Sequence, residues 1–335
     1  MRAGVMAPSA DNHHCFKMQL TPGGIGLVGD AEYVGAPFHR RVLNRISLGA
    51  VVENMSIRAI RLGYRAEAHW PPHPSNASRI VELRLSRGEA QDLGLDEAIP
   101  TRHTNRNVVF AGPALHDADL VAFADLIGDI PGVGLTFCDS GPLRKLLLRL
   151  VWLAESERFR TRELHQDLFS AVRFDVGWHA TVTEGLPPAA LGIEVGLRWA
   201  FSQLRHWSVM NFLRLMGLHR SLGFRAAYLP CRLAPHCAVL TTRLPLEQGA
   251  VSVGRALQRI WLEAERRGLA FQPLAGAALL ALQEYEAVPS STGARLRNGW
   301  KSLTDATPLM VFRMGHAKPP AVRAGRPPWQ DLLQV

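Results

Sequence analysis

Four short segments contain residue types that can bind a small anion. They are residues 7–12 (APSADN), 102–106 (RHTNR), 273–276 (PLAG) and 323–327 (RAGRP). Guanidinium groups form charge-assisted hydrogen bonds with phosphates and carboxylates, hydroxyl and amide side chains add further donors, and glycine admits a close backbone approach. Taken one at a time, the same segments fit ordinary turns, surface arginines and a disordered terminus. Their chemistry therefore depends on whether the fold brings them together.

Histidine and cysteine clusters offer a weaker alternative, a metal site. Residues 13–15 are His-His-Cys, but adjacent side chains on a strand point to opposite faces, so these three could not all bind one metal ion. Cys231 and Cys237 flank His236 at a spacing unusual for zinc, and buried thiols explain them equally well. Residues 24–30 (GIGLVGD) lack the Lys-Ser/Thr pair of a phosphate-binding loop. We therefore predict no metal site and no such loop.

The composition indicates a folded protein with an affinity for anions. The chain has 335 residues, 47% hydrophobic and 20% charged, enough for a core without disulfide staples. Lys and Arg number 38 against 29 acidic residues, and the net charge of +9 attracts anions from nucleic acid to a phosphate-bearing cofactor. Because no zinc finger, RNP-type aromatic strand or dense basic run accompanies this charge, we predict no nucleic-acid partner.

Apolar stretches and cysteines bear on location. Residues 143–153 and 209–222 contain Arg or Lys every few positions and fall short of the roughly 18 uncharged residues of a spanning helix. The N-terminus has no apolar signal segment, and four cysteines without a CxxC pattern suit reduced thiols. We predict no integral membrane segment and residence in the cytoplasm.

A Trp- and Arg-rich stretch at 198–225 has two interpretations. Its amphipathic pattern fits a membrane or partner surface, whereas the helical spacing of Trp199, Leu204, Phe212 and Leu215 fits packing in a core or lid. Core or lid packing is the more common use of such spacing, and it is our prediction.

The elements that must position the four segments follow from hydrophobic periodicity. In the first part of the chain we predict a hairpin over 15–28 with a Pro-Gly-Gly turn, a helix over 43–62 ended by Gly63, and strands at 64–70 and 79–85 around a loop at 71–76. In the second part we predict helices at 117–127, from 141, at 250–267 and at 277–286, and strands at 134–138, 237–243, 270–273 and 309–314. Residues 163–235 show a helical pattern without clean periodicity.

One stretch of sequence occurs twice. Residues 46–68 (ISLGAVVENMSIRAIRLGYRAEA) and 251–273 (VSVGRALQRIWLEAERRGLAFQP) both have a glycine early in an apolar helix, a glycine stop and a short extended segment. Coincidence between two amphipathic helices is one explanation, and a duplicated half is the other. Under duplication, one chain holds two helix-plus-strand units that must pack against each other.

Taken together, these motifs resemble the FMN-dependent nitroreductase superfamily. Its members have a basic RRSxR-type motif, an APSxxNxQPW-type loop, a GaalqnllLaAxxlGl-type helix running into a strand, and a C-terminal Arg in a Pro-containing segment. Here the corresponding sequences are RHTNR at 102–106, APSADNHHCF at 7–16, the repeated helix, and RAGRPP at 323–328. The resemblance reaches both ends of the chain and leaves residues 163–235 unmatched.

The order of the motifs is similar to that of a long single-chain subgroup, which includes mycobacterial Acg-type proteins and nitroreductase modules fused to ThiF-like adenylating domains. The resemblance implies an α+β, nitroreductase-like fold, with a mixed, mainly antiparallel sheet flanked by helices and one chain imitating the usual homodimer. Residues 1–100 would form the N-terminal half with the APS loop. Residues 101–335 would form the C-terminal half, with an inserted helical lid region at about 163–235.

The resemblance also implies an FMN site. Arg102, Arg106 and Arg326 would bind the phosphate, with His103 at the second basic position and Thr104 adding a hydroxyl. Ser9 and Asn12 would contact the ribityl chain or the pyrimidine edge, and the backbone at Ala275 and Gly276 would approach the flavin ring. No catalytic side chain is assigned, because the flavin itself performs hydride transfer.

The implied function is an NAD(P)H-dependent FMN oxidoreductase that passes hydride to a small electron acceptor. The family's Gln-Pro-Trp is His14-Cys15-Phe16 here, and Ala275 replaces an acidic residue that often precedes the glycine. These departures keep open a flavin-sequestering or regulatory FMN-binding protein without turnover. A basic interaction module for nucleic acid or an anionic membrane is a third possibility. The chain would be a monomer or homodimer, working beside a ThiF-like adenylating enzyme.

Overall fold

The computed structural model describes residues 1–69, 79–282 and 288–334. Its strands are β1 (Phe16–Thr21), β2 (Gly24–Gly29), β3 (Tyr64–His69), β4 (Arg79–Arg87), β5 (Val133–Phe137), β6 (His236–Thr242), β7 (Ala270–Leu274), β8 (Thr307–Gly315) and β9 (Leu333–Gln334). Its α-helices are α1 (Arg2–Val5), α2 (Ala31–Gly35), α3 (Phe38–Arg61), α4 (Asp117–Asp125), α5 (Gly141–Arg160), α6 (Arg162–Ser170), α7 (Arg198–Leu204), α8 (Trp207–Leu215), α9 (Leu218–Gly223), α10 (Leu229–Arg232), α11 (Leu246–Arg266), α12 (Gly276–Leu279) and α13 (Ser290–Lys301).

The strands form two sheets with similar connectivity. The first has the order β3-β4-β2-β1-β9 and the second the order β5-β6-β8-β7, and every pairing is antiparallel except that of β1 with β9. In each sheet the strand after the long helix lies at an edge, beside the next strand in the chain and then the strand that precedes the helix. The predicted α+β class with mainly antiparallel strands is confirmed, with two separate sheets rather than one.

The repeated helices α3 and α11 pack against each other across the middle of the molecule. A Cβ atom at Gly49 would collide with the carbonyl oxygen of Val251, and one at Gly254 would collide with that of Ile46. These four residues occupy equivalent places in the repeat, so the contact is reciprocal, as in a two-fold interface. Two similar units therefore associate within one chain.

Glycine ends both long helices, as the sequence predicts. Gly63 follows α3 with φ +81° and Gly268 follows α11 with φ +69°, the left-handed conformation that glycine adopts without a steric penalty. The chain then enters β3 and β7, respectively. Apolar residues of the first sheet pack on α3, and those of the second sheet pack on α11 on one face and on α5 and α13 on the other.

Several sequence predictions differ from the structure in extent. Helix α3 begins at Phe38, before the predicted start at 43, and α12 ends at Leu279 rather than 286. Helix α13 and strand β9 were not predicted, because glycines and basic residues obscure the apolar face of α13 and β9 is only two residues long. Trp70, the predicted loop at 71–76 and residues 283–286 of the predicted helix lie outside the described residues.

Residues 163–235 are largely helical, as the pattern indicates. Helices α6 to α10 and a π-helix at Phe224–Tyr228 lie in this stretch and pack on one another and on α5, whereas residues 171–197 contain only two short 3-10 helices. Phe159, Phe169 and Met210 form the centre of their own apolar cluster. Of the helices in the described residues, none is long and apolar enough to cross a membrane.

Candidate anion-binding site

A cavity of about 270 Å³ brings together three of the four segments singled out in the sequence. This cavity, which we call the arginine cavity, is lined by the N-terminal loop at 6–12, by residues between 100 and 106, by Leu186 and Ala190, and by residues 322–326 of the tail. Of the nine predicted cofactor residues, seven line it: Ser9, Asn12, Arg102, His103, Thr104, Arg106 and Arg326. The fold therefore brings together residues that are more than 300 positions apart in the chain.

The N-terminal loop reaches the cavity through an unusual backbone turn. Asp11 and Asn12 both adopt positive φ values, 53° and 59°, a conformation that Asp and Asn tolerate better than other non-glycine residues. The amide nitrogen of Ala10 donates to Ser47 Oγ of α3 at 3.1 Å. Asn12 exchanges hydrogen bonds with Gly185, one through its side-chain Nδ2 and one through its backbone carbonyl, each at 3.1 Å. These contacts fix the loop between α3 and the segment that contains Gly185.

Arg102 is 5% exposed and is held by neutral groups. Its Nη2 donates to the carbonyl oxygen of Met6 at 2.9 Å, and its guanidinium lies 4.5 Å from the ring centroid of Trp261. Burial lowers its pKa well below the usual value, repulsion by Arg326 lowers it further, and Glu265 acts in the opposite direction. Its Nε has no hydrogen-bond partner among the residues that the structure describes.

Arg326 enters the cavity from the C-terminal tail. Its Nε donates to the carbonyl oxygen of Ala7 at 3.1 Å, and its Nη1 donates to Asn12 Oδ1 at 2.6 Å. Burial lowers the pKa of Arg326 to about 10. The tail is held nearby, since the amide of Gly325 donates to the carbonyl oxygen of Val182 at 2.8 Å.

Arg106 completes a group of three arginines. Its Nη1 donates to the carbonyl oxygen of Ala190 at 3.2 Å, and burial of the guanidinium lowers its pKa, with attraction to Asp11 and repulsion by Arg158 as smaller influences. None of the three arginines forms an ion pair with a carboxylate of the described residues. A buried charge without a counter-charge is unfavourable, so these three groups are candidate ligands for an anion.

Polar side chains complete the lining of the cavity. Nδ1 of His103 donates to the carbonyl oxygen of Thr101 at 2.9 Å and lies 3.5 Å from Glu265 Oε2. Ser9 Oγ lies 3.4 Å from His14 Nε2. Thr104 also lines the cavity, and no hydrogen bond joins its hydroxyl to another of the described residues. Hydroxyl donors thus stand beside the arginines, as a phosphate ester requires.

Ala275 and Gly276 do not line this cavity. They follow β7 at the start of α12, where a Cβ atom on Gly276 would lie 3.1 Å from Glu155 Oε1 and 3.7 Å from Arg158 Cδ. Glu155 and Arg158 form an ion pair of 2.9 Å, and Arg158 is near enough to Arg106 to lower its pKa. The open side of Gly276 therefore faces this ion pair, which sequence reasoning did not single out.

A second cavity, of about 530 Å³, adjoins the first and shares Asp11 with it. Arg40 lines this second cavity and forms ion pairs with Asp11 at 2.5 Å and with Asp167 at 2.7 Å. Asn44 lines it and is 8% exposed, and its side chain has no hydrogen-bond partner among the described residues. The site as a whole has an arginine-rich chamber beside a larger one of mixed charge.

The other residues considered for metal binding have structural roles. His13 lies 2.5 Å from Glu32 and 2.8 Å from Glu184, at the rim of the second cavity. His236 donates from Nδ1 to Asp139 at 2.6 Å and accepts at Nε2 from the amide of Leu115 at 2.8 Å. Cys231 and Cys237 are buried free thiols, and Sγ of Cys237 donates to the backbone carbonyl oxygen of Cys231 at 3.3 Å.

Sequence reasoning missed the contribution of residues 182–190 to the arginine cavity. Leu186 and Ala190 line the arginine cavity, and Val182 and Gly185 bind the tail and the N-terminal loop. Most of these contacts use backbone carbonyls and amides, which any residue type provides. No residue-type signal in 181–192 could have identified them.

Comparison with known proteins yields structural similarities at low identity. No protein-family model and no curated protein matches the sequence. The FMN-dependent nitroreductase NfnB from Mycobacterium smegmatis, solved in complex with NADPH, is 18% identical, with 72% of this chain and 96% of that chain covered at a TM-score of 0.40. A BluB-like flavoprotein from Clostridium difficile 630 is 11% identical (72% and 98% covered, TM-score 0.40), and a Desulfitobacterium hafniense nitroreductase with bound FMN is 16% identical (73% and 99% covered, TM-score 0.38). Similarity at this level assigns neither an activity nor a ligand to this chain.

Proposed function

We propose that this chain binds FMN in the arginine cavity and is an oxidoreductase of the nitroreductase type. The observation that carries the proposal is the convergence of Arg102, which is buried, with Arg106 and Arg326, which are half-buried. None of the three forms an ion pair with a carboxylate of the described residues. The phosphate of FMN is dianionic near neutral pH and supplies the missing counter-charge. Three of the motifs that resemble the superfamily, at 7–12, 102–106 and 323–326, contribute residues to the cavity lining.

The residues of this chain fit the phosphate end of FMN. Arg102, Arg106 and Arg326 would bind the phosphate oxygens, with Thr104 and His103 as further donors. Ser9 and Asn12 would bind the ribityl hydroxyls or the pyrimidine edge. Bound FMN supplies hydride transfer from NAD(P)H to a small electron acceptor. Ala275 and Gly276 would approach the ring only if the Glu155–Arg158 pair, which faces Gly276, leaves room for it.

The second cavity is our candidate for the electron acceptor. It adjoins the arginine cavity at Asp11, and its volume of about 530 Å³ lies in the range typical of small-molecule sites. The unpartnered amide of Asn44 offers a donor and an acceptor on its wall. Asp11, held by Arg40, separates the two chambers.

We also propose the organisation that the resemblance implies. Residues 1–100 and 101–335 would be the two nitroreductase-like halves of a long single-chain member, and residues 163–235 a lid. The contacts of 181–192 with the N-terminal loop and the tail support a covering role. A monomeric or homodimeric state, a ThiF-like partner enzyme and residence in the cytoplasm remain predictions.

The test is the visible absorption spectrum of the purified protein before and after anaerobic addition of NADPH. We expect flavin bands that bleach. Bands that persist with NADPH yet disappear with dithionite would show a flavin-sequestering protein without turnover. A colourless protein that also fails to take up added FMN would contradict the proposal.

Replacement of two phosphate ligands tests the assignment of residues. Arg102→Ala with Arg326→Ala is expected to abolish FMN retention, because two of three charge-assisted contacts are lost. Arg84→Ala, at a largely exposed arginine of β4, is the matched control and should retain FMN. Circular dichroism separates loss of binding from loss of fold, and unchanged flavin content in a folded double variant would contradict the assignment.

A further inference from the structure

Residues 195–233 present a surface that is both apolar and basic. Nine of the seventeen large apolar side chains exposed in the described residues belong to this stretch: Val195, Leu197, Trp199, Phe212, Leu215, Met216, Leu218, Phe224 and Leu233. The same stretch contains six arginines and no aspartate or glutamate. We call it the 195–233 surface. A concentration of exposed apolar side chains of this kind usually marks a site of interaction.

Helix α8 shows that this exposure is not a by-product of core packing. Met210 is fully buried on its inner side, in the cluster formed with Phe159 and Phe169. Phe212 and Leu215, three positions apart and hence on a common face, are 63% and 74% exposed. A helix at the surface of a soluble protein normally has polar residues on its outer face. Here the outer face is apolar as well.

Neighbouring helices extend the apolar surface. Helix α7 contacts α8. Its Trp199 is 76% exposed, although tryptophan side chains are usually largely buried. Met216, directly after α8, is 63% exposed. The prediction that Trp199, Phe212 and Leu215 pack in a core or lid is therefore wrong, while Leu204 does pack in the local cluster.

The charge of the surface is only partly neutralised within the chain, because Arg225 is the one arginine of the 195–233 surface that pairs with a carboxylate of the described residues, that of Glu194. Arg205, Arg220 and Arg232 are exposed and form no ion pair with any carboxylate of the described residues. Elsewhere arginines are commonly paired, as Arg40 is with Asp11 and Asp167. The positive charge of the 195–233 surface is therefore available to an external anion.

These properties favour one kind of partner. A second copy of this surface would bring arginines against arginines, which is repulsive without acidic residues to separate them. An anionic lipid bilayer accepts both features: Trp at the headgroup level, aliphatic and Phe side chains at the acyl boundary, and Arg at the lipid phosphates. Helices α7 and α8 have seven and nine residues, far fewer than the roughly 20 needed to span a bilayer.

We propose that the 195–233 surface binds peripherally to an anionic membrane. Trp199, Phe212 and Leu215 enter the interfacial layer, and Arg205, Arg220 and Arg232 contact lipid phosphates. This inference is independent of flavin binding, because none of these six residues lines either cavity.

The experiment is co-sedimentation of the full chain with vesicles of phosphatidylcholine, alone or mixed with phosphatidylserine, at low and high salt. We expect binding to the mixed vesicles at low salt, little binding to phosphatidylcholine alone, and weakening by salt. The triple variant Trp199→Ser, Phe212→Ser, Leu215→Ser should reduce the partition coefficient by about tenfold or more. The matched control Leu20→Ser, Val121→Ser alters exposed apolar residues elsewhere and should bind like the parent.

A second variant tests the arginines separately. Arg205→Gln, Arg220→Gln, Arg232→Gln should lose binding to the mixed vesicles while circular dichroism remains that of the parent. Absence of binding to the mixed vesicles, or equal binding by the parent and both triple variants, would overturn the proposal. A concentration-dependent oligomer that the apolar triple variant abolishes, without vesicle binding by the parent, would identify a contact between copies instead.

Discussion

At the scale of single residues, the arginines of the site are held by neutral groups. Arg102 and Arg326 donate to the carbonyl oxygens of Met6 and Ala7, and Arg326 also donates to an asparagine. Neutral acceptors orient a guanidinium without cancelling its charge, so the attraction for an external anion persists. Carboxylate partners would have stabilised the apo protein and occupied the donors that a phosphate needs.

His14 reports on the same positive field. Burial, together with the smaller effects of repulsion by Arg326 and His13, lowers the pKa of His14 to about 3. Its usual pKa of 6.5 applies in the unfolded chain, so between pH 6.5 and about 3 the unfolded state binds more protons. The free energy of unfolding should therefore decrease as the pH falls through this range.

Substitution of His14 tests this effect. His14→Gln should flatten the pH dependence of the free energy of unfolding below pH 6.5, measured by urea denaturation. His179→Gln, at an exposed histidine, is the control. Equal flattening in both variants would show that the pH dependence does not originate at the buried imidazole.

At the scale of elements, sequence patterns succeed where residue types determine the structure. The hairpin of β1 and β2, the glycine ends of α3 and α11, and the repeated helix are all recognisable, because glycine and apolar periodicity leave local signals. The orientation of helix α8 could not be predicted from the sequence, because apolar residues recur at the same helical spacing whether they face the core or the solvent. Only the packing of Met210 against the local cluster distinguishes them.

The contact of α3 with α11 depends on glycine at both equivalent positions. Gly49→Ala and Gly254→Ala would each place a Cβ atom against a backbone carbonyl that no rotamer change can relieve. Alanine raises helix propensity by about 1 kcal/mol, but the collision should outweigh it, with a net loss of about 1–3 kcal/mol in the free energy of unfolding.

Urea denaturation of these variants provides the measurement. Gly35→Ala, at a helical glycine with nothing within 4 Å of its Cβ position, should be neutral or slightly stabilising. Stability unchanged in Gly49→Ala and Gly254→Ala would mean that the helices can separate without cost, and that the reciprocal contact does not hold the two units together.

At the scale of the whole molecule, the site forms where the two ends of the chain meet. Residues 102–106 and the N-terminal loop are recognisable by residue type, yet their convergence with Arg326 depends on the path of the tail after β8. That tail has the Pro- and Arg-rich composition of a disordered terminus. It is instead fixed by pairing of Leu333 with Met18 and by the hydrogen bond from Lys17 Nζ to the carbonyl oxygen of Asp331 at 2.9 Å. Composition alone does not contain this long-range pairing.

Truncation after residue 328 separates the two functions of the tail. It keeps Arg326 and its bonds to Ala7 and Asn12 but removes β9, so the guanidinium stays in place with fewer restraints. We expect FMN affinity to fall by about tenfold, the equivalent of ~1.4 kcal/mol.

Arg326→Ala in the full chain should lower FMN affinity more than the truncation does, by about 100-fold, because it removes a charge-assisted contact outright. Titration calorimetry with FMN measures both. If truncation weakens binding as much as Arg326→Ala, β9 is required to hold the arginine in the cavity; if truncation has no effect, the contacts at Gly325 and Asn12 are sufficient and the sheet contact of the tail serves stability alone.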